Sequence, residues 1–229
     1  MWPTLVEGVV GPVVINCDRD TQRWSDLCEH LATWDVTPSR FSAFTSTTRR
    51  KSPFVPRTSA LMTLGVVEIL KQFQKTDQPY VLVLEDDCRF LQDPRVAVSE
   101  AIAACPVGWS VLSLGSWGQI PPTDYSRVTY AQPLWLLLGA HSVLVSRQHV
   151  EGLIQSLDSS LPLFDIQLNE EYRKKRGYVR RPSITYQHEY VSHRSKRKEP
   201  TIALADLPQE QKKILQTKTP TPFPTSGFK

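Results

Sequence analysis

Sulfur is scarce in this chain, with four cysteines and two methionines in 229 residues. Cys17, Cys28, Cys88 and Cys105 form no CxxC pair and fall in apparent strands and helices, so they read as buried free thiols of a reducing compartment. Long apolar runs are missing too. The best stretch, Leu134 to Val145, is too short to span a bilayer and carries His141. The start, Met1-Trp2-Pro3 with Glu7 and no early Lys or Arg, does not read as a secretory signal, and a cytoplasmic protein is expected. None of the ten glycines precedes a lysine, which excludes a P-loop.

What is present is ordinary for a soluble globular protein: 40 % apolar and 22 % charged residues, enough to bury a full core. That balance excludes a wholly disordered chain, a collagen and a coiled coil. The net charge of +4 comes from 27 basic and 23 acidic residues. Seven of the basic and three of the acidic residues lie in 196–229, so the body is neutral, 20 against 20. A neutral body with a basic tail does not suggest a nucleic-acid partner. Lys196-Arg197-Lys198 is smaller than a polybasic patch, and at most peripheral membrane contact is expected from it. Residues 1–195 are taken as one domain and 196–229 as a partly disordered tail rich in Lys, Pro and Thr.

Strand and helix patterns alternate along the body. Val13 to Asn16 reads as a strand bounded by Gly11-Pro12. Trp24, Leu27, Leu31 and Trp34 give an amphipathic helix that Asp18 or Asp20 is placed to cap. A short strand at Arg40 to Phe44, a loop to Pro56 and a helix over Thr58 to Lys75 follow, the helix carrying Met62, Val66, Ile69 and Phe73 as its stripe. Tyr80 to Leu84 is a strand apolar on both faces, as in the middle of a parallel sheet. A helix near Val96 to Ala104 leads to the strand Trp109 to Leu114. Further strands are expected at Arg127 to Ala131, Leu134 to Leu138, Tyr178-Val179 and Ile184 to Gln187, with helices from Ser146 and from Leu161 to Arg176. The class is α/β, with a mainly parallel central sheet.

The strongest chemical signal is Glu85-Asp86-Asp87 at the carboxyl end of that apolar strand. Three adjacent carboxylates repel one another, and each resists partial burial. A divalent cation resolves this, and hard oxygen ligands suit Mg²⁺ or Mn²⁺. Ligands also bind at the carboxyl ends of strands in open α/β sheets. The triplet therefore reads as a metal site beside a phosphate-bearing ligand.

Several segments together resemble glycosyltransferase family 25, which includes lipopolysaccharide and collagen galactosyltransferases. In order, they are Val14 to Arg19 with Arg23, Arg40 to Phe44, Leu82 to Cys88, Trp109 to Gly115, Gly139 to Ser146, Leu161-Pro162 with Asp165, and Pro182 to Gln187. The resemblance implies a GT-A-like domain that binds a UDP-sugar through Mn²⁺ or Mg²⁺ and passes a hexose, galactose or glucose, to a glycan or other hydroxyl acceptor with inversion. On this reading Asp87 binds the metal directly, and Glu85 or Asp86 holds the ribose or a water on the metal. His188 and His193 lie where a further ligand is expected. Asn16, Asp18, Arg19 and Arg23 face the nucleotide, and Asp165 is the general base, with Glu170 and Glu171 as weaker alternatives. Trp117 is placed to stack on sugar or base, and Arg173 to Arg176 with Arg180 and Arg181 to attract an anionic acceptor. The family's Cys and His are absent from Pro56 to Thr63, and His193 stands where an acid is expected. These departures leave open a second reading, a GT-A-fold protein that binds or scaffolds without transferring.

Overall fold

The computed structural model describes residues 2–44, 57–115, 129–131, 139–160, 164–181 and 183–188. The expected loop at 45–56, Trp117, the strand at 134–138, Leu161-Pro162, His193 and the tail at 196–229 lie outside the described residues.

The elements in chain order are β1 (Thr4–Val6), β2 (Val9–Asn16), α1 (Thr21–Ala32), β3 (Ser39–Ser42), α2 (Arg57–Phe73), β4 (Tyr80–Glu85), β5 (Cys88–Phe90), α3 (Pro94–Ala104), β6 (Val111–Ser113), β7 (Thr129–Ala131), β8 (Ser142–Ser146), α4 (Val150–Ser160), α5 (Phe164–Arg173), β9 (Gly177–Arg181) and β10 (Thr185–Gln187). One 3₁₀ turn, Arg147–His149, precedes α4. The main sheet runs β1-β2-β4-β8-β6-β9-β7, with β3 also on β2, and β5 and β10 form a small second sheet. The expected α/β sheet is present, and its parallel character holds in part. β3, β2 and β4 are parallel, as are β6 and β9, but β8 runs antiparallel to both β4 and β6. Because β8 reverses between them, β4 and β6 point the same way. The carboxyl ends of β2, β3, β4, β6 and β9 therefore share one edge.

Alternation on the central strands builds two cores. Val13 and Ile15 of β2, Val81 and Val83 of β4, and Val143 and Val145 of β8 pack with Val66, Ile69, Leu70 and Phe73 of α2, Leu153 and Leu157 of α4, and Leu168 of α5. On the opposite face Val14, Leu82, Leu84, Leu112 and Leu144 pack with Leu27 and Leu31 of α1 and Ala97, Val98 and Ala101 of α3. The sheet thus lies between two helical layers. Both faces of β4 are covered, which is why it reads as a continuous apolar run.

Some boundaries differ from the sequence reading. Gly11-Pro12 lies inside β2, at an irregularity in its pairing with β4 between Val10 and Val13. Glycine is required there: its φ is +114°, and a Cβ would sit 2.8 Å from the Leu82 carbonyl oxygen. α3 begins earlier than expected because Asp93 Oδ1 accepts the Arg95 N–H at 2.9 Å and Pro94 opens the first turn. Asp20 occupies the N-cap position of α1 without a side-chain cap bond. All four cysteines are unpaired; Cys88 and Cys105 are buried, Cys17 and Cys28 half-buried. Among the described residues no helix is long and apolar enough to cross a membrane.

Candidate active site at the end of the central strand

The end of β4 and the turn after it divide the acids. Val81 and Val83 face α2, α4 and α5, while Leu82 and Leu84 face α1 and α3. β4 ends at Glu85, and the turn at Asp86-Asp87 leaves Glu85 and Asp87 on one side and Asp86 on the other.

Asp86 turns towards α1 and the end of β2. Asn16 donates from Nδ2 to Asp86 Oδ2 at 2.8 Å, and Arg23 donates from Nη1 to Asp86 Oδ1 at 3.2 Å. Asn16 is almost fully buried and also bonds beyond the acid: its Nδ2 donates to the Asp20 carbonyl at 3.1 Å, and its Oδ1 accepts from Arg40 Nε at 2.8 Å. Burial works against the Arg23 charge, yet Asp86, Asp87 and Asp20 outweigh it and hold the guanidinium above its ordinary range. Of the other expected nucleotide contacts, Asp18 is turned to Ser42 Oγ at 2.8 Å and Arg40 Nη2 at 3.3 Å, and Arg19 is exposed on the same turn.

Glu85 and Asp87 meet on the other side, at Gln187 of β10. The Gln187 amide nitrogen lies 3.2 Å from Glu85 Oε2 and 3.3 and 3.4 Å from the two Asp87 oxygens. Antiparallel pairing of β10 with β5 sets Gln187 opposite Cys88. The His188 backbone N–H also donates to the Asp87 carbonyl at 2.7 Å. Burial raises the Glu85 pKa well above the usual carboxyl value, and the charges of Asp87, Asp86 and Asp165 add to it against Arg23. Burial and Asp86 push Asp87 up to about 6, opposed by Arg23, the Gln187 hydrogen bond and Arg89. The Asp87 side chain still keeps 18 % of its surface open, so the pair is not sealed in the core.

Asp165, in the first turn of α5, lies near enough to act electrostatically on both Glu85 and Tyr172. The Tyr172 hydroxyl is fixed to Ser113 Oγ at 2.7 Å. His188 is exposed at the rim, joined to the acids through its backbone, and its ring lies in electrostatic range of His30. His30 accepts the Phe90 N–H at 2.8 Å, and burial depresses its pKa to about 3. Glu171, read as a weaker alternative base, is instead buried among Ser110, Lys174 and Arg176, away from any reacting position. Glu170 pairs with Arg173 on the surface.

Among the described residues no three His, Cys, Asp or Glu side chains gather closely enough to cage a metal ion. Two carboxylates and an amide still fit a hard cation. Mg²⁺-type ions are usually held by one or two carboxylates together with substrate phosphates. The Gln187 amide presents its nitrogen to the acids, and its other end, Oε1, is buried without a hydrogen-bond partner among the described residues, an oxygen with free lone pairs beside the site. Sequence reasoning assigned no role to Gln187, Arg40 or Arg89. The buried Arg89 donates to the carbonyls of Asp86, at 3.3 Å, and Cys88, at 2.8 Å, and fixes the acid turn. The signal for Gln187 was its place as the last residue of the resembling segment Pro182 to Gln187.

No family model matches the sequence, and no curated relative matches it. Solved structures give loose likenesses. One is a glycosyltransferase involved in glycosylation of the major capsid of PBCV-1, with 12 % identity, a TM-score of 0.44, and 77 % of this chain and 81 % of that one covered. Another is a mutant Drosophila galactosyltransferase in complex with manganese, UDP-Gal and xylobiose, with 10 % identity, a TM-score of 0.41, and 82 % and 74 % covered. A third is a mannose-1-phosphate geranyltransferase from Thermus thermophilus, with 12 % identity, a TM-score of 0.31, and 77 % and 73 % covered.

Proposed function

We propose that this chain is a metal-dependent, inverting glycosyltransferase of the GT-A type, related to family 25, which moves a galactose or glucose from a UDP-sugar to a glycan or other hydroxyl acceptor. The observation that carries this reading is the meeting of Glu85 and Asp87 at a shared nitrogen, 3.2 and 3.3 Å away, at the carboxyl end of the central strand. Both acids have raised proton affinity, and burial is the main cause. Such a pair favours a positive charge between its members.

Glu85 and Asp87 hold the Mn²⁺ or Mg²⁺ in this reading. When bound, the cation supplies positive charge to the departing nucleoside diphosphate. Arg23, 4.0 Å from Asp87, offers a second positive group to the same phosphates. Asp86 and Asn16 hold Arg23 and Arg40 in register rather than touching the ligand. Asp165 takes the proton of the acceptor hydroxyl, a role that fits its place in the first turn of α5 within electrostatic range of Glu85. The order of segments that resembles family 25 supports the same assignment.

The test is a screen of nucleotide-sugars for slow hydrolysis with Mn²⁺. The expected result is turnover of a UDP-hexose that EDTA and Asp87→Ala abolish. Asp165→Asn should lower the rate by about 10²–10⁴-fold while metal-dependent donor binding persists. Turnover that survives EDTA, or a fully active Asp165→Asn, would contradict the assignment.

A further inference from the structure

Resting on the metal-dependent reading above, we infer that Gln187 is a ligand of the cation, presenting its carbonyl oxygen to the ion by a half-turn of its amide. Three features converge on this residue. First, its backbone is fixed. β10 pairs with β5 from Thr185–Phe90 to Gln187–Cys88, and Thr185 Oγ1 is anchored by Ser142 Oγ at 2.5 Å and His141 Nε2 at 3.3 Å. Second, the amide nitrogen already stands between the two acids, within 3.4 Å of three of their oxygens. Third, the other end of the same amide, Oε1, is buried with no hydrogen-bond partner among the described residues.

The amide is therefore well placed at one end and unsatisfied at the other. The terminal torsion of glutamine is broad and roughly two-fold, so nitrogen and oxygen exchange places without moving the backbone. With nothing between the acids, the NH₂ end faces them and softens their repulsion. With a cation between them, that end is repelled and the carbonyl end is attracted. Amide carbonyls are ordinary ligands of hard divalent ions. Glu85, Asp87 and Gln187 Oε1 then form an all-oxygen set and leave the remaining positions to phosphates and water. The same residue serves as a stand-in for the ion when the ion is absent and as a ligand when it is present.

The test measures Mn²⁺ binding to the full chain without nucleotide, read by loss of the free-ion electron paramagnetic resonance signal. Gln187→Leu should weaken binding by about tenfold or more, because even groups one layer out from a metal are worth that much. Gln187→Glu, which restores an oxygen, should bind at least as tightly as the natural chain. In parallel, Mg²⁺ titration of the natural chain should shift the Gln187 side-chain amide resonance, a readout that does not depend on any variant folding. Equal Mn²⁺ affinity in the natural chain and Gln187→Leu, or an unmoved Gln187 amide, would overturn the inference and leave the acid pair standing. Failure of the natural chain to bind Mn²⁺, even with UDP added, would overturn the metal-dependent reading as well.

Discussion

Adjacent carboxylates lead different lives here because β4 ends at Glu85, and the turn that follows sends Asp86 towards Asn16 and Arg23 and brings Asp87 back beside Glu85 at Gln187. Asp86 is bound to Asn16 and Arg23, whereas Glu85 and Asp87 share a neutral amide. This division has a pH signature. An acid whose pKa is raised by folding keeps its proton in the native state while the unfolded chain has already lost it, so stability falls as pH rises through that interval. For Asp87 the interval runs from about 4, the unfolded value, to about 6. The buried His30 and His141 act in the opposite sense. Their pKa values are depressed to about 3 and about 4, so stability falls as pH drops below the ordinary histidine value. Comparison with Asp87→Asn removes these common terms. In metal-free buffer, the melting temperature of the natural chain minus that of Asp87→Asn should decline between about pH 4 and pH 7. A difference that stays flat or rises would show that Asp87 is not the strained acid. The acids were legible in the sequence because they follow an apolar run directly. Gln187 was not, since its partners lie about a hundred positions away in the chain and only the β5–β10 pairing brings them together.

At the level of elements, the long periodic segments were the legible ones. The stripe of α2 and the apolar run of β4 follow from burial on one face and on two faces respectively. β8 was not read as a strand because five residues after Gly139-Ala140-His141 carry no period of their own; their place is set by antiparallel pairing with β4 and β6. β5 and β10 have three residues each, too few for a pattern. The end of β6 is pressed against β10 at Gly115, where a Cβ would lie 2.5 Å from the Thr185 carbonyl oxygen and 2.6 Å from His141 Nε2. Gly115→Ala must therefore push β10 outward. It should cost about 1–3 kcal/mol of stability, as overpacking does, and weaken Mn²⁺ binding by displacing Gln187. A thermal melt and a metal titration check both, and unchanged values would show that β10 does not set the site.

For the whole molecule, the α/β class was legible from the alternation of apolar runs and amphipathic stripes. The reversal of β8 was not, because strand direction is decided by connections and packing rather than by any one segment. The result is a sheet with β2, β4 and β6 ending at one edge. There the acids at the end of β4 meet Arg23 of α1 and Gln187 of β10, with Asp165 of α5 in electrostatic range, each delivered by a different element. The central claim is that this edge grips a cation which in turn grips a pyrophosphate. The most direct measurement is calorimetry of UDP binding to the natural chain with Mn²⁺ and with EDTA. The account predicts binding with Mn²⁺ that disappears with EDTA and in Asp87→Ala. UDP affinity that is the same with and without the metal, or no affinity for any nucleoside diphosphate in its presence, would contradict it.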